Sequence, residues 1–269
     1  MKIAIKLVRP FGFLLTLVLG ACFPEGEKQT SPDIPSDTVA HAKEVDSVET
    51  IPIHEDSAAV VEADTLSKLE AALQNHGLVN ILTLDTTLQV DLKYTTTDNF
   101  LGIDLYGALN NCYLQPDVAE KLVAANAHLK ELHPDLHLLV YDGVRPRSVQ
   151  QLMWVALDSL PLKERTKYVS NPKNGSLHNY GAAIDLTIAD STGQPLDMGT
   201  PYDYFGELAY PRKEWELHKR GLLTRKQIDN RSLLRAVMYK AGFFNIQTEW
   251  WHFNSCTRAE AAKKYEIVE

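Results

Sequence analysis

Ser176-Leu177-His178-Asn179-Tyr180-Gly181-Ala182-Ala183-Ile184-Asp185-Leu186-Thr187-Ile188 carries a polar loop into an apolar strand, and its reading decides the fold. From Ala182 to Ile188 the side chains alternate. Ala183, Asp185 and Thr187 share one face, and Ile184, Leu186 and Ile188 share the other. An acid in the middle of such a strand is at least half buried, and a buried carboxylate needs a cation or several donors. A metal ion would satisfy Asp185, and so would neighbouring loop amides. His178 stands upstream across Gly181, a residue free to turn the backbone and fold the loop back to the strand.

Downstream, Glu249-Trp250-Trp251-His252 adds a second imidazole and a second carboxylate. Two histidines and two acids are the inventory of a mononuclear zinc hydrolase: three ligands, one open coordination position and a general base. The spacing within that second stretch sets a condition. On a regular strand Glu249 and His252 point to opposite faces, and Trp250, Trp251 and Phe253 favour a strand. A bulge or the strand end must therefore bring them together.

Working outward, the folded region opens with a short helix from Thr65 to His76, stopped by Gly77. Leu78 to Leu84 and Leu88 to Tyr94 flank Asp85-Thr86-Thr87 as a hairpin or strand pair would. Pro116 to Leu132 reads as a helix with Pro116 in its first turn and Val118, Leu122, Ala125 and Leu129 at helical spacing. Leu136 to Tyr141 is a strand, Ser148 to Leu160 a helix, and Pro161 to Gly175 a polar loop. Asp190 to Glu216 is a long irregular stretch, of the kind that carries function in a compact domain. Thr224 to Ala241 is helical, and Phe243 to Phe253 is an aromatic-rich final strand. Strands and helices mix without a regular βα repeat, which gives an α+β fold with a mainly antiparallel sheet.

The amino terminus has a different character. Lys2, Lys6 and Arg9 precede an apolar run from Phe11 to Leu19, then Gly20-Ala21-Cys22. That run is too short to span a bilayer but suits a secretory leader. Its ending resembles a bacterial lipoprotein signal, with residues 1–21 removed and Cys22 lipidated; an ordinary secretory signal is the alternative. Residues 22–62, rich in Pro, Ser, Thr, Asp and Glu, cannot bury enough surface to offset chain entropy and read as a disordered tether. The domain then spans residues 63–269, on the extracytoplasmic side of a membrane. Cys112 and Cys256 remain, and a disulfide between them is open. A net charge of -8 argues against a nucleic-acid partner, which normally meets a basic patch.

Several other motifs carry less. His54-Glu55 is not followed by the second histidine of a helical zinc motif. His128, His133 and His137 straddle the break at Pro134 and read as solvent-facing. Ser170-Asn171-Pro172-Lys173 fits a serine acyl-enzyme signature, but Pro172 interrupts it and its partner motifs are missing from the sequence. Arg145, in Asp142-Gly143-Val144-Arg145-Pro146, is either an oxyanion-stabilising cation or a surface arginine paired with Asp142.

Ser176-x-His178-x-x-Gly181-x-Ala183-x-Asp185 with Glu249-x-Trp251-His252 resembles the zinc D-alanyl-D-alanine dipeptidases, grouped with the peptidoglycan D,D-carboxypeptidases in one metallopeptidase family. Asp91-Leu92-Lys93-Tyr94 through Thr97-Asp98-Asn99-Phe100, Asp142 to Pro146, and Met198-Gly199-Thr200-Pro201-Tyr202-Asp203 match the dipeptidase branch. The resemblance implies a fold like that of D,D-peptidases and Hedgehog-like proteins, with one zinc ion per chain in a central cleft. It implies His178, Asp185 and His252 as the zinc ligands, Glu249 as the base and Arg145 as the stabiliser of the tetrahedral intermediate. Tyr94, Ser176 and Asp203 fall where the family approaches its substrate. The implied activity is hydrolysis of D-Ala-D-Ala, with trimming of peptidoglycan stem peptides as the alternative and a non-catalytic wall- or zinc-binding module as a third reading. The family's best-known dipeptidases are cytoplasmic, whereas this chain carries an export signal and a tether.

Overall fold

The structure is a computed structural model that describes residues 69–107 and 109–269. The leader, Cys22 and the tether lie outside the described residues, as does the start of the first helix. That helix is described over residues 69–75 and stops, as its sequence indicates, at Gly77 with φ +77°.

The central sheet has five strands: β2 (Gln89–Val90), β4 (Leu136–Asp142), β5 (Ala183–Asp190), β6 (Phe244–Asn245) and β7 (His252–Asn254). Their order is β2-β4-β5-β7-β6. Only the β2–β4 pairing is parallel, so the sheet is mainly antiparallel and the fold is α+β. A separate two-stranded ribbon pairs β1 (Val79–Asn80) with β3 (Tyr113–Leu114).

Three helices do most of the covering: α1 (Pro116–Leu132), α2 (Arg147–Ala156) and, after the short α3 (Leu162–Arg165) and α4 (Glu214–Lys219), the long α5 (Arg225–Lys240). Helix α1 buries Val118, Leu122, Ala125 and Leu129, the period visible in the sequence, against β4 and α5. Ile184, Leu186 and Ile188 of β5, all fully buried, join that core. The opposite side of the sheet offers Leu139, Tyr141 and Ala189, and Tyr202 from the long loop after β5 packs on them. One strand thus separates a helix-covered core from a loop-covered face, and Asp185 points to the second.

Four expectations need correction. Leu78–Leu84 and Leu88–Tyr94 form no hairpin. Asn80 caps a 3-10 turn at Ile81–Thr83 by accepting from the Leu82 N–H at 3.0 Å, and Asp85 closes a further turn by accepting from the Thr87 N–H at 2.8 Å. The two flanking strands then find different partners, β3 and β4. The stretch Phe243–Phe253 is not one strand but a hairpin of β6 and β7, with Phe244 opposite Asn254 and residues 246–251 looped out between them. Helix α2 ends at Ala156 rather than Leu160, and α3 forms inside the expected loop.

A last helix, α6 (Arg258–Lys264), has no counterpart in the sequence reading above. Its signal is the capping box Thr257-x-x-Glu260, in which each side chain takes the other residue's backbone N–H.

Candidate active site and metal centre

His178 sits in a single 3-10 turn, His178–Tyr180, that ends at Gly181 with φ +64°. A β-carbon at Gly181 would stand 2.7 Å from Leu78 Cδ2 and 3.3 Å from the Gln115 nitrogen, so both the turn and the packing require glycine. The turn returns the chain to β5, where Asp185 lies directly opposite His252 of β7.

These three side chains converge. His178 Nε2 is 3.4 Å from Asp185 Oδ1, His252 Nδ1 is 2.9 Å from the same oxygen, and the two ring nitrogens are 3.2 Å apart. Each ring's other nitrogen faces an acceptor: His178 Nδ1–H donates to the Gly143 carbonyl at 2.7 Å, and His252 Nε2–H donates to Asn254 Oδ1 at 2.9 Å. The acceptors fix the tautomers and turn both lone pairs toward the carboxylate. Two inward lone pairs beside an anion call for a cation. Among the described residues this is the one group of three or more side chains arranged to hold a metal ion. Two imidazoles and a carboxylate are a donor set that fits zinc and leaves a coordination position open.

The demand for positive charge shows in the ionisation of two of these side chains, His252 and Asp185. Burial opposes charging of His252, but the adjacent Asp185 carboxylate outweighs it and pushes the imidazole up to about 9. Burial likewise works against the Asp185 anion, yet His178 and His252 hold its carboxyl well below the usual range.

The loop between β6 and β7 resolves the facing problem of Glu249 and His252. Glu249 is in the loop and His252 begins the strand, so strand alternation does not apply to the pair. Trp250 Nε1–H donates to Thr200 Oγ1 at 2.7 Å, the Leu186 N–H reaches the Trp251 carbonyl at 3.1 Å, and Trp251 packs edge-on against Tyr202. These anchors hold Glu249 on the wall of a cavity of about 280 Å³. Burial raises the Glu249 carboxyl above its ordinary range, with His252 pulling the other way.

Arg145 is not a surface arginine, although Asp142 is its partner. Asp142 is fully buried and accepts from Arg145 Nε at 3.0 Å and from Nη2. Tyr106 Oη and the Gly143 N–H, at 2.8 and 3.0 Å, satisfy the carboxylate's other oxygen. The guanidinium lies over the Tyr94 ring at 5.0 Å, with Nη2 3.8 Å from Asp185 Oδ2. Its backbone is tied to the three-residue cluster too, since the Arg145 N–H donates to the His178 carbonyl at 3.0 Å.

Tyr94 Oη donates to Asp203 Oδ2 at 2.9 Å, and Tyr202 Oη donates to Asp185 Oδ2 at 2.9 Å. Asp203 has φ +57°, the only non-glycine residue in the left-handed region among the described residues. Burial, and then Asp185, raise its carboxyl well above the usual range. Ser176 Oγ donates to the buried Gln150 Oε1 at 2.7 Å. All eight residues named from the sequence (Tyr94, Arg145, Ser176, His178, Asp185, Asp203, Glu249 and His252) line the one cavity.

Of the other sequence features Ser170 lines the cavity wall, whereas the histidines near the end of α1 and the two cysteines do not. His128 faces Glu131 and His137 faces the Thr87 carbonyl. Cys112 and Cys256 are both free thiols. Sequence reasoning missed Asn254, Tyr202 and Gln150 as supports. Asn254 was within reach of it, lying two residues past His252 on the same strand face; Gln150 has no such signal.

The sequence of residues 74–268 matches the peptidase M15 family, described as D-ala-D-ala dipeptidase. The D-alanyl-D-alanine dipeptidase of Escherichia coli (strain K12) is 33% identical over 181 residues, which cover 65% of this chain and 83% of that protein. The enzyme of the same name from Enterococcus faecium is 32% identical over 179 residues, covering 61% and 83%. Among solved structures, the vancomycin-resistance D,D-dipeptidase VanXYg, in complex with a D-Ala-D-Ala phosphinate analogue, is 19% identical with a TM-score of 0.33, covering 59% of this chain and 57% of that one. On the sequence match, this chain belongs to the peptidase M15 family of D-ala-D-ala dipeptidases.

Proposed function

We propose that this protein is a zinc-dependent dipeptidase that hydrolyses D-Ala-D-Ala to D-alanine outside the cytoplasm. The observation that carries this reading is the meeting of two inward-facing histidine lone pairs and Asp185 in a small cavity shared with Glu249 and Arg145. His178 Nε2, Asp185 and His252 Nδ1 would hold the zinc ion. Bound there, zinc supplies Lewis acidity and makes an attacking water acidic enough to ionise near neutrality.

The chain's own residues do the rest. Glu249 takes the proton of the attacking water and delivers it to the leaving amine. Arg145 faces the oxygen that gains negative charge; its fork is held in place beforehand by Asp142 and the Tyr94 ring, so little reorganisation is needed. Asp203 supports a dipeptide over a longer substrate. Burial and Asp185 raise its carboxyl well above the usual range, and a docking cation favours its anion; the free amino end of a dipeptide brings one. Tyr94 and Ser176 line the same cavity and would position the substrate.

Lipid attachment at Cys22 belongs to the same reading and is supported by the sequence of residues 2–22. Labelled fatty acid should enter the wild-type chain and be absent from Cys22→Ala; equal labelling would overturn it. For the substrate, release of D-alanine from free D-Ala-D-Ala is compared with release from an N-blocked peptide ending in D-Ala-D-Ala. The free dipeptide should be the faster. A faster blocked peptide would make the protein a carboxypeptidase, and release from neither would leave a binding module.

A further inference from the structure

We propose that Arg258 is a specificity-determining residue that binds the free α-carboxylate of the substrate. The inference rests on the peptidase reading above, but it concerns the end of the substrate that a dipeptide and a stem peptide have in common.

The cavity is lined by three cations, Arg145, Lys167 and Arg258. Two are engaged by acids: Arg145 is forked onto buried Asp142, and Lys167 is paired with Glu164. Arg258 has no carboxylate partner among the described residues; it donates from Nη2 to the Gly175 carbonyl at 2.6 Å. That one bond fixes the side chain against the turn that leads into Ser176 and leaves most of the guanidinium's five donors unused. A planar fork with free donors, held at a cavity wall, suits a carboxylate better than any other group of a small peptide.

Its place in the fold points the same way. Thr257 and Glu260 form the capping box of α6, so Arg258 is the first residue of that helix. Helix starts favour acids over bases, and an arginine there weakens rather than strengthens the helix. The helix itself therefore gives no reason for a base at this position; the Gly175 bond uses one donor, and the cavity is where the others are open. The walls also carry Asp185, Asp203 and Glu249. Asp185 belongs to the metal centre and Asp203 faces the amino end of a dipeptide, which leaves the carboxylate end in need of a cation that no acid has claimed.

The test compares D-Ala-D-Ala with D-Ala-D-alaninamide in the full-length zinc-loaded wild type, Arg258→Gln and Arg258→Lys. Wild type should prefer the acid. In R258Q the acid-over-amide ratio of kcat/KM should fall by about 10- to 100-fold, the range for a lost hydrogen bond to a charged group, through KM more than kcat, and R258K should recover part of it. Zinc content and Tm should stay at wild-type values, because the side chain is exposed. A wild type indifferent to the amide, or an R258Q that keeps the full preference, overturns the carboxylate contact while the dipeptidase reading stands. A wild type that cleaves neither compound overturns that reading and this inference with it.

Discussion

His178 and His252 face each other across 3.2 Å with their other ring nitrogens already engaged by Gly143 and Asn254. At that separation two lone pairs repel unless a cation, a proton on His252 or a metal ion, lies between them and Asp185. Two imidazoles beside a carboxylate are a donor set that favours the metal. The purified protein should therefore contain about one zinc per chain, and His252→Ala should lose it. Asn254→Leu tests the outer support: it should keep the fold and weaken zinc binding by about 10- to 100-fold, read by chelator competition. Full metal content in His252→Ala would remove the ligand assignment.

Glu249 shares the cavity without taking part in the three-residue cluster. Glu249→Gln keeps the shape and removes the proton carrier. Turnover should fall by about 10²- to 10⁴-fold with zinc content unchanged. A variant that lost metal and activity together would make Glu249 a ligand rather than a base.

Arg145 and Asp142 form a buried pair, so their contributions to stability and to rate can be separated. Arg145→Met removes the charge and leaves Asp142, fully buried, with Tyr106 and the Gly143 N–H as hydrogen-bond donors and His178 Nδ1 3.7 Å away. Breaking such a pair costs about 3 to 5 kcal/mol, to be read from denaturant unfolding. Arg145→Lys restores a cation without the fork. It should recover most of the stability while kcat stays about 10²- to 10³-fold down, the scale for a lost transition-state donor. Recovery of both together would assign Arg145 to structure alone.

How much of this was legible in the sequence depended on how local each cause is. Helix α1 follows from a period and a proline, and β5 follows from alternation; both stand where the sequence puts them. The partners of β1 and β2 were not legible, because a polar turn between two apolar runs looks the same whether the runs pair with each other or with distant strands. The residues that line the cavity were legible as an ordered set of motifs, since His178, Gly181 and Asp185 are close in sequence. Their supports were less so. Asp142 buries its charge against Tyr106, and Gln150 anchors Ser176 from a helix. Contacts of that kind are made only when the chain folds, and no spacing announces them.

Arg231 illustrates the point and yields a further prediction. It is almost fully buried in α5, where Nε donates to the Met198 carbonyl at 2.6 Å and Nη2 to the Leu208 carbonyl at 2.9 Å. Those carbonyls lie on either side of the segment that carries Asp203 and Phe205 to the cavity and Tyr202 to Asp185. Glu214, itself buried and forked by Arg235, stands 3.5 Å from Nη1 and supplies the counter-charge. A lysine keeps that charge but lacks the guanidinium fork that reaches both carbonyls at once. Arg231→Lys should therefore loosen the loop and raise KM for the dipeptide more than it lowers kcat. Zinc content should be unchanged, because His178, Asp185 and His252 do not lie on this segment. A fall in Tm with unchanged kinetics would show that Arg231 serves only the core. A rise in KM at full zinc occupancy would show that this buried cation, which contacts neither substrate nor metal, sets the position of Asp203.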